Sequence, residues 1–336
     1  MQRTDFVGYR GLAKLNGVLL LASSAQATMN ATPIKSNANW GAGSWNAAET
    51  AAWSADMPEI SASIDCDVTT TAIGVIEEFS KRYKVSSGAT PIVIRPSNSW
   101  GFNGAGYCES LSYKGQEQQN LTASIEAKAF FTDANSIKDF SNDADSTSMD
   151  DKTSDIGAGG LGDLAYNALY PYWGQTIYMR NASGENTRVI PRTRAEANNQ
   201  ITGITDWSAQ LTHNIQFKKT CGIFAGNGQS EGIPTAEGGW PLAPDYVALG
   251  AMTGQCDLTF VGMLDEFDYD YYYNTRGFKA EFTSPVGGGA HSIIIPAMLC
   301  ESYPISLQSG GEFITASFSY TAVGNGFDPP VKLGAW

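Results

Sequence analysis

Charged residues are scarce in this sequence. Asp, Glu, Lys and Arg make up 16% of its 336 residues, and the 34 acidic residues outnumber the 21 basic ones, which gives a net charge of −13. An average soluble domain has roughly a quarter of its residues charged. The negative excess disfavours a surface that binds nucleic acid, because phosphate binding requires clustered Lys and Arg. An acidic wall along which DNA moves without adhering is still allowed.

Histidine and cysteine are also scarce. The two histidines, His213 and His291, are too few and too far apart in sequence to indicate a zinc site or a catalytic triad. The five cysteines are odd in number and form no Cys-x-x-Cys pair, which argues against a disulfide framework and a zinc ribbon. We therefore expect free thiols, cytoplasmic assembly, and neither a metal nor a cofactor.

The sequence contains none of the common catalytic motifs. It lacks G-x-S-x-G, a Walker loop and H-E-x-x-H. Asp and Glu residues for an acid–base pair are present, but nothing in the sequence places two of them in a common cleft. We predict that the protein is not an enzyme and has no catalytic, cofactor-binding or metal-binding residues. No run of about eighteen apolar residues occurs, so we expect no membrane span.

The apolar segment 15–27, LNGVLLLASSAQA, has two interpretations. It resembles the apolar region of a secretory signal peptide followed by an Ala-x-Ala cleavage site. However, Asp5 lies where a signal peptide is basic, and Asn16-Gly17 interrupts the apolar run. Asn-Gly is a favoured two-residue hairpin turn. We therefore favour two strands joined by a turn at Asn16-Gly17.

Residues typical of strands and turns are abundant. The chain has 36 glycines, many Ser, Thr and Asn, and 42% hydrophobic residues, which is enough for a core. This composition predicts a mainly β protein, a β-sandwich or partial barrel, and not a helical bundle. One short helix is predicted within residues 70–83, TTAIGVIEEFSKRY, after a cap at Thr70 or Thr71. The apolar residues that share one helical face there are Ala72, Val75, Ile76, Phe79 and Tyr83.

Two distant segments resemble each other. Residues 107–130 read YCESLSYKGQEQQNLTASIEAKAF, and residues 299–323 read LCESYPISLQSGGEFITASFSYTAV. Each contains Cys-Glu-Ser and, after an insert, Thr-Ala-Ser within an alternating stretch. Aligning the two Thr-Ala-Ser triplets places the apolar residues of both stretches on one strand face. These residues are Leu121, Ala123, Ile125, Ala127 and Ala129, and Ile314, Ala316, Phe318, Tyr320 and Ala322.

The cysteines fit the same alignment. Cys66-Asp67 corresponds to Cys256-Asp257 at an offset of 190, and Cys108 corresponds to Cys300 at an offset of 192. We predict two tandem copies of one β-domain, in which these four cysteines are small, reduced core residues. A disulfide within each copy, joining Cys66 to Cys108 and Cys256 to Cys300, is the alternative. Cys221 has no counterpart.

The repeat divides the chain into three parts. Residues 1–132 form the first β-domain, residues 133–163 a linker rich in Ser and Asp, and residues 164–336 the second β-domain, which begins with an insertion. The segment 133–155 contains seven aspartates and two lysines and lacks the spacing of a calcium loop. The segments Trp40–Trp53 and Leu264–Phe278 are rich in aromatic residues, which predict interface or strand-edge contacts more than a carbohydrate platform.

Three segments carry a family resemblance. GYRGLAKLNGVLLLASSAQATMNATPIKSNANWGAG (8–43), LCESYPISLQSGGEFITASFSYTAVG (299–324) and the helix TAIGVIEEF (71–79) resemble parts of the tail tube proteins of long-tailed bacteriophages. The resemblance covers about half of the chain. It implies a β-sandwich or partial barrel with one helix, whose sheets join side by side into a ring, and rings that stack into a tube for DNA ejection.

This resemblance implies a structural virion protein, assembled in the host cytoplasm and located in the phage tail. Its partners would be further copies of itself and other tail proteins, and DNA would pass through the lumen without specific binding. Two tube-like domains in each chain predict a homotrimeric, pseudo-hexameric ring, with a homohexamer as the alternative. A tail hub or tail-tip ring protein and a secreted two-domain β-sandwich that binds carbohydrate are the alternative functions.

Overall fold

A computed structural model describes most of the strand-forming parts of the chain. The described residues are 12–30, 33–36, 52–55, 59–81, 88–97, 100–130, 169–180, 186–189, 203–218, 244, 246–263, 273, 276–285, 290–302, 313–324 and 329–333. These parts form a mainly β fold with a single α-helix. None of their helices has the length and apolar character needed to span a membrane.

The first half of the chain forms a closed barrel of six antiparallel strands. The neighbouring pairs run in the order β6-β1-β2-β5-β8-β7, and β7 also pairs with β6 to close the ring of strands. The strands are β1 (Leu12–Leu15), β2 (Val18–Asn30), β5 (Glu59–Asp67), β6 (Thr90–Ser97), β7 (Trp100–Gln116) and β8 (Thr122–Phe130). The short strands β3 (Pro33–Ser36) and β4 (Ala52–Ala55) pair with each other.

The turn between β1 and β2 confirms the hairpin prediction. Leu15 pairs with Val18, and both intervening residues have positive φ, 49° at Asn16 and 78° at Gly17. Two successive positive φ values define a type I′ turn, whose twist matches that of the flanking strands. The Asn-Gly dipeptide is favoured there because these residues tolerate the left-handed region.

The helix α1 (Ala72–Ser80) also confirms the prediction, with a different cap. Thr71 precedes the helix but makes no side-chain capping bond. Instead the backbone N–H of Ala72 donates to Thr69 Oγ1 at 3.1 Å. Thr69, one residue before Thr70 and two before Thr71, therefore supplies a side-chain acceptor to an N–H group at the helix start, alongside its own carbonyl oxygen. Ile73, Ile76 and Phe79 bury the apolar face of the helix.

The second half of the chain contributes two sheets. β11 (Gly203–Lys218), β12 (Tyr246–Met263), β16 (Phe313–Ala322) and β15 (Met298–Ser302) extend the barrel sheet in the order β7-β11-β12-β16-β15. A separate five-stranded sheet has the order β10-β9-β13-β14-β17. Its strands are β9 (Gln175–Arg180), β10 (Asn186–Val189), β13 (Gly277–Phe282), β14 (His291–Ile295) and β17 (Lys332–Leu333). The predicted insertion after residue 164 therefore supplies strands β9 and β10.

One continuous core joins the barrel, the extended sheet and the five-stranded sheet. In the second half, aromatic side chains fill the space between the sheets. Trp207 of β11 stacks on Phe282 of β13, with ring centroids 5.7 Å apart and an interplanar angle of 6°. Trp207 Nε1 donates to Gln175 Oε1 at 2.8 Å, so the indole is packed and hydrogen-bonded at once. The five-stranded sheet therefore covers the inner face of the extended sheet.

Burial follows the alternation that the sequence predicted. Ala123, Ile125, Ala127 and Ala129 are all buried on the inner face of β8, and Leu121 directly before this strand is buried as well. On β16 the inner residues Ala316, Phe318 and Tyr320 are buried, and Ala322 is half-buried. The strand assignments of both Thr-Ala-Ser segments are therefore confirmed.

Candidate assembly surface

Strand β7 joins the two halves of the chain. Its first part, residues 100–106, pairs with β6 and closes the barrel. Its last part, residues 110–116, pairs on the same edge with residues 206–212 of β11. On its opposite edge β7 pairs with β8. The result is one layer of eight strands in the order β2-β5-β8-β7-β11-β12-β16-β15.

This layer consists of two units of four strands with the same internal order. The first unit is β2-β5-β8-β7 and the second is β11-β12-β16-β15. In each unit the strand that contains Cys66 or Cys256 is second. The Thr-Ala-Ser strand is third and the Cys-Glu-Ser strand is fourth. The duplication itself stays a prediction, although its expected strand order is present.

The Cys-Glu-Ser triplet is a β-bulge in both units. Opposite β8, Cys108 pairs with Ala127 and Ser110 with Glu126, so Glu109 is the extra residue. Opposite β16, Cys300 pairs with Tyr320 and Ser302 with Ser319, so Glu301 is the extra residue. A bulge breaks the strict alternation of side chains and increases the local twist. The repeated triplet therefore has a structural role in the backbone.

Side chains reinforce the junction between β7 and β11. Gln210 Nε2 of β11 donates to Ser110 Oγ of β7 at 2.9 Å, and Thr212 lies directly opposite Ser110. Farther along, the ring of Tyr107 packs edge-on against Phe217 with centroids 6.2 Å apart. Tyr107 is consequently only 7% exposed. The junction thus combines a backbone ladder, one polar contact and one aromatic contact.

A second repeat at this junction was missed in the sequence. Residues 24–30 of β2 read SAQATMN, and residues 208–214 of β11 read SAQLTHN. Five of the seven letters are identical, and both segments lie on the first strand of their four-strand unit. A search for shared short words upstream of the cysteine strands would have found this match.

Two adjacent rows of the outward face of the eight-stranded layer are polar across the six central strands. One row of directly opposed residues crosses six strands and contains Asp65, Ser124, Ser112, Gln210, Gln255 and Thr321. The next row extends to β15 and contains Asp67, Thr122, Lys114, Ser208, Asp257, Ser319 and Ser302. The first row continues to the exposed Leu299 on β15 and the second to Leu21 on β2, so apolar side chains lie at the two ends of the layer.

Carboxylates predominate among the charged side chains of this face. The outward-directed charged residues on the strands β5, β8, β7, β11 and β12 include Glu59, Asp65, Asp67, Glu126, Asp206 and Asp257, with Lys114 and Lys128. Two of these carboxylates accept hydrogen bonds from serine side chains of neighbouring strands. Asp257 accepts hydrogen bonds from Ser208 at 3.1 Å and from Ser319 at 2.6 Å. This face is therefore an ordered acidic surface.

Both histidines contact the helix α1. His213 of β11 is 4% exposed, and its Nε2 lies 3.1 Å from the carbonyl oxygen of Ser80. Burial lowers the pKa of His213, and the hydrogen bond to Ser80 offsets part of this effect. His291 Nδ1 of β14 lies 3.0 Å from Glu77 Oε1. The helix of the first half is therefore held by two strands of the second half, a contact that sequence spacing did not reveal.

Four cysteines lie in described residues, and all are free thiols. Cys66, Cys108 and Cys256 are buried, and Cys300 is half-buried. Burial, together with the nearby Asp67 and Asp65, raises the pKa of Cys66 to about 12, and burial also raises the pKa values of the other three thiols. Unreactive core thiols are the expected consequence. The alternative of a disulfide within each copy is not what the structure contains.

Several sequence predictions fall on residues outside the described parts. These are the linker 133–163, Cys221, and most of the aromatic segments 40–53 and 264–278. Among the described residues, no group of three or more His, Cys, Asp or Glu side chains is arranged to hold a metal ion. The prediction that the protein is not an enzyme is untested.

Comparison with known proteins gives no family assignment. The chain matches no protein-family model, and no curated protein is significantly similar to it.

Proposed function

We propose that the protein is a structural subunit that assembles into stacked rings, and that it is the tail tube subunit of a long-tailed bacteriophage. The observation that carries this proposal is the eight-stranded layer in which two four-strand units pair edge to edge through β7 and β11. A sheet that already continues from one unit to the next inside a chain is a template for continuing from chain to chain. Closure into a ring removes the remaining edges.

We attribute the two units to duplication of one tube domain. The shared strand order, the bulge at each Cys-Glu-Ser triplet and the two SAQ-x-T-x-N segments support this origin. One difference accompanies these similarities. Cys66 faces Ala123 whereas Cys256 faces Tyr320, so the pairing of the second and third strands differs by four residues relative to the Thr-Ala-Ser alignment.

The pairing of both units within one layer favours three chains in each ring over six. Three copies would contribute 24 strands, eight from each. At a strand spacing of about 4.8 Å, 24 strands give a circumference of about 115 Å and a backbone diameter of at least about 37 Å, and strand tilt widens it further. Such a ring has space for a DNA duplex at its centre. A second copy placed as an outer decoration would not share this layer.

The polar face of the layer is the proposed wall of the lumen. Its Ser, Thr and Gln side chains and its carboxylates present few cations to passing DNA. Like charges keep the phosphate backbone from adhering, whereas a basic wall would bind it through counterion release. The opposite side of the layer is buried by β1, β6, the helix α1 and the five-stranded sheet. In this proposal the chain functions in the virion with other tail proteins.

Electron microscopy of the purified full-length protein tests this function. We expect rings that stack into tubes, with three chains and six similar units around the axis in cross-section. Six whole chains around the axis would refute the trimer, and a monomer that never polymerises would refute the tube. Single rings that do not stack would favour a hub or tail-tip protein. A small oligomer that binds an oligosaccharide array would favour a carbohydrate-binding module.

A further inference from the structure

One edge of β12 is uncovered over half of its length. In the first unit the corresponding strand β5 pairs with β8 from Ile60 to Asp67 and with β2 on its other edge. In the second unit the pairing of β12 with β16 stops at Gln255. Among the described residues, those from 246 to 253 pair with β11 alone, and none of them is buried.

This open edge follows from the register difference of four residues between the units. In the register of the first unit, β16 would cover β12 as far as Gly250. In the structure β16 ends at Ala322, and β15 begins opposite that residue and extends no farther. Among the described parts, the second unit therefore lacks two strands beside residues 246–253, where the first unit has the ends of β8 and β7.

A two-stranded ribbon elsewhere in the chain joins no larger sheet. The strands β3 and β4 pair with each other over four residues and with no other described strand. A ribbon of two strands is marginally stable by itself and gains stability from a third strand. Only residues 31 and 32 separate β3 from the end of β2, which is the outermost strand at one end of the eight-stranded layer.

We propose that this ribbon pairs with the uncovered edge of β12 in a neighbouring copy of the chain. Closure of the proposed ring brings the β2 end of one copy next to the β15 end of its neighbour. The two strands of the ribbon then fill the two strand positions between β2 and the neighbour's β12. The strand β3 lies beside β2 of its own chain, and β4 lies beside β12 of the neighbour. This inference rests on the proposed ring and names a contact that closes it.

The directions of the strands fit this arrangement. Five successive antiparallel pairings lead from β2 to β12, so these two strands run in opposite directions. From the row of opposed residues that contains Ser24 and Gln255, residues 24–30 and residues 246–253 extend toward the same end of the layer. Two antiparallel strands between them make every new pairing antiparallel. This end of the layer then has eight strands from each chain instead of six, as the other end has.

The uncovered edge also lacks the usual protection against pairing. Exposed strand edges commonly carry Lys or Pro, which prevent pairing with another chain. Residues 246–256, YVALGAMTGQC, contain neither a charged residue nor proline, and Tyr246 is 62% exposed. The ladder of β12 with β11 is regular from Tyr246 to Leu249 and irregular beyond. Full antiparallel overlap of these four residues with the four of β4 places Ser54 opposite Val247.

Cysteine cross-linking of the full-length protein tests this register. Directly opposed residues on antiparallel strands have Cα atoms about 4.5–5.5 Å apart, which suits a disulfide, whereas diagonal neighbours lie about 7–8 Å apart. We expect the double variant Ser54→Cys/Val247→Cys, oxidised with copper phenanthroline, to give covalent dimers and closed trimers on a non-reducing gel. Each single variant should stay at the monomer position, which also controls for the native cysteines. A mixture of the two single variants should give dimers only.

The controls separate failure of the contact from failure of the ring. The variant Ser54→Cys/Leu249→Cys places the two thiols diagonally, and more efficient cross-linking of this pair than of the Val247 pair would overturn the register. Rings that form without either cross-link would overturn the ribbon contact and leave the proposed function standing. Cross-linked dimers without rings would support the contact and refute the ring. A monomer that gives neither would overturn both.

Removal of the ribbon gives a second readout. Because β3 and β4 pair with no other described strand, we expect replacement of residues 33–55 by a Gly-Ser linker to leave the barrel and the layer folded, as measured by circular dichroism. The variant should sediment as a monomer and form no rings in electron micrographs. Rings formed without the ribbon would contradict the proposal. If this variant does not fold, the cross-linking variants decide.

Discussion

The two four-strand units have the same strand order but different surroundings. In the first unit the sheet curls until β6 and β1 close it into a six-stranded barrel, and in the second the sheet stays open and is covered by five separate strands. The inner residues differ in size accordingly. On β8 they include Ala123, Ala127 and Ala129, whereas the matching part of β16 contains Phe318 and Tyr320. A barrel of six strands has a narrow interior, so only some of its inner positions can hold large side chains, whereas facing sheets about 10 Å apart leave room for more of them.

The registers of the strand pairings also differ between the two units. In the first unit, Cys66 and Cys108 face residues of β8 that are four positions apart, Ala123 and Ala127. In the second unit, Cys256 and Cys300 both face Tyr320. A closed barrel requires a stagger between neighbouring strands, and an open sheet does not. The same strand order can therefore form a barrel or a sandwich, depending on the stagger between strands and on the volume of the inner side chains.

Removing the central aromatic residue of the open half should have the largest effect. We expect Trp207→Ala to lower the free energy of unfolding by about 3–5 kcal/mol, because a cavity replaces the stack on Phe282 and Gln175 Oε1 loses its donor. Trp207→Phe keeps much of the packing and should cost less. Denaturant titration followed by near-ultraviolet circular dichroism measures both variants. A loss below about 1 kcal/mol for the alanine variant would contradict the central packing role.

Matched substitutions at equivalent positions compare the two interiors directly. Ala129 is fully buried in the barrel, and its counterpart Ala322 is half-buried in the open half. We expect Ala129→Leu to cost about 1–3 kcal/mol by overpacking, and Ala322→Leu to cost less than about 1 kcal/mol. Thermal and urea unfolding of the two variants gives the comparison. Equal costs would mean that the barrel interior is no tighter than the sandwich.

The contact between the halves should depend on pH through His213. Burial lowers the pKa of this residue in the folded state, so the unfolded chain takes up the proton first as the pH falls. The contribution of neutral, buried His213 to the free energy of unfolding is therefore complete above the ordinary histidine pKa near 6.5. Below that pH the free energy of unfolding falls by at most about 1.4 kcal/mol per pH unit. We expect unfolding free energies measured from pH 7.5 to 5.5 to fall less steeply for His213→Gln than for the natural chain. Identical slopes would contradict the prediction.

The smallest effect is expected at the start of α1, the helix that the second half holds in place. Thr69→Ala removes the side-chain acceptor for the Ala72 N–H, which also donates to the carbonyl oxygen of Thr69 at 3.1 Å, and should cost about 1 kcal/mol or less. Thr69→Ser retains the hydroxyl and should restore most of the stability. Urea denaturation measured by far-ultraviolet circular dichroism resolves this difference. If the serine and alanine variants are equally destabilised, the hydroxyl is not the cap.

Sequence reasoning succeeded where the determining contacts are local. Alternation of apolar residues predicted β8 and β16, Asn16-Gly17 predicted the first hairpin, and apolar spacing predicted α1. It placed the helix cap at Thr70 or Thr71 because propensity does not tell which of three successive threonines can reach the first N–H group. It predicted the segment after residue 164 as an insertion without assigning strands to it, and that segment supplies β9, which pairs with β13.

The sequence by itself determined which face of each strand is buried, because side chains alternate with a period of two along any strand. It also contains two repeated short words, Cys-Glu-Ser and SAQ-x-T-x-N, although the bulge at each Cys-Glu-Ser became visible only in the strand pairing. Only the tertiary structure decided which strand edges meet, since β7 pairs with β6 in one part and with β11 in another. It also decided that both histidines contact the same helix. A strand edge consists of backbone N–H and C=O groups, which are the same for every residue except proline. The choice of neighbour therefore follows from stagger, interior volume and distant contacts that no single segment contains.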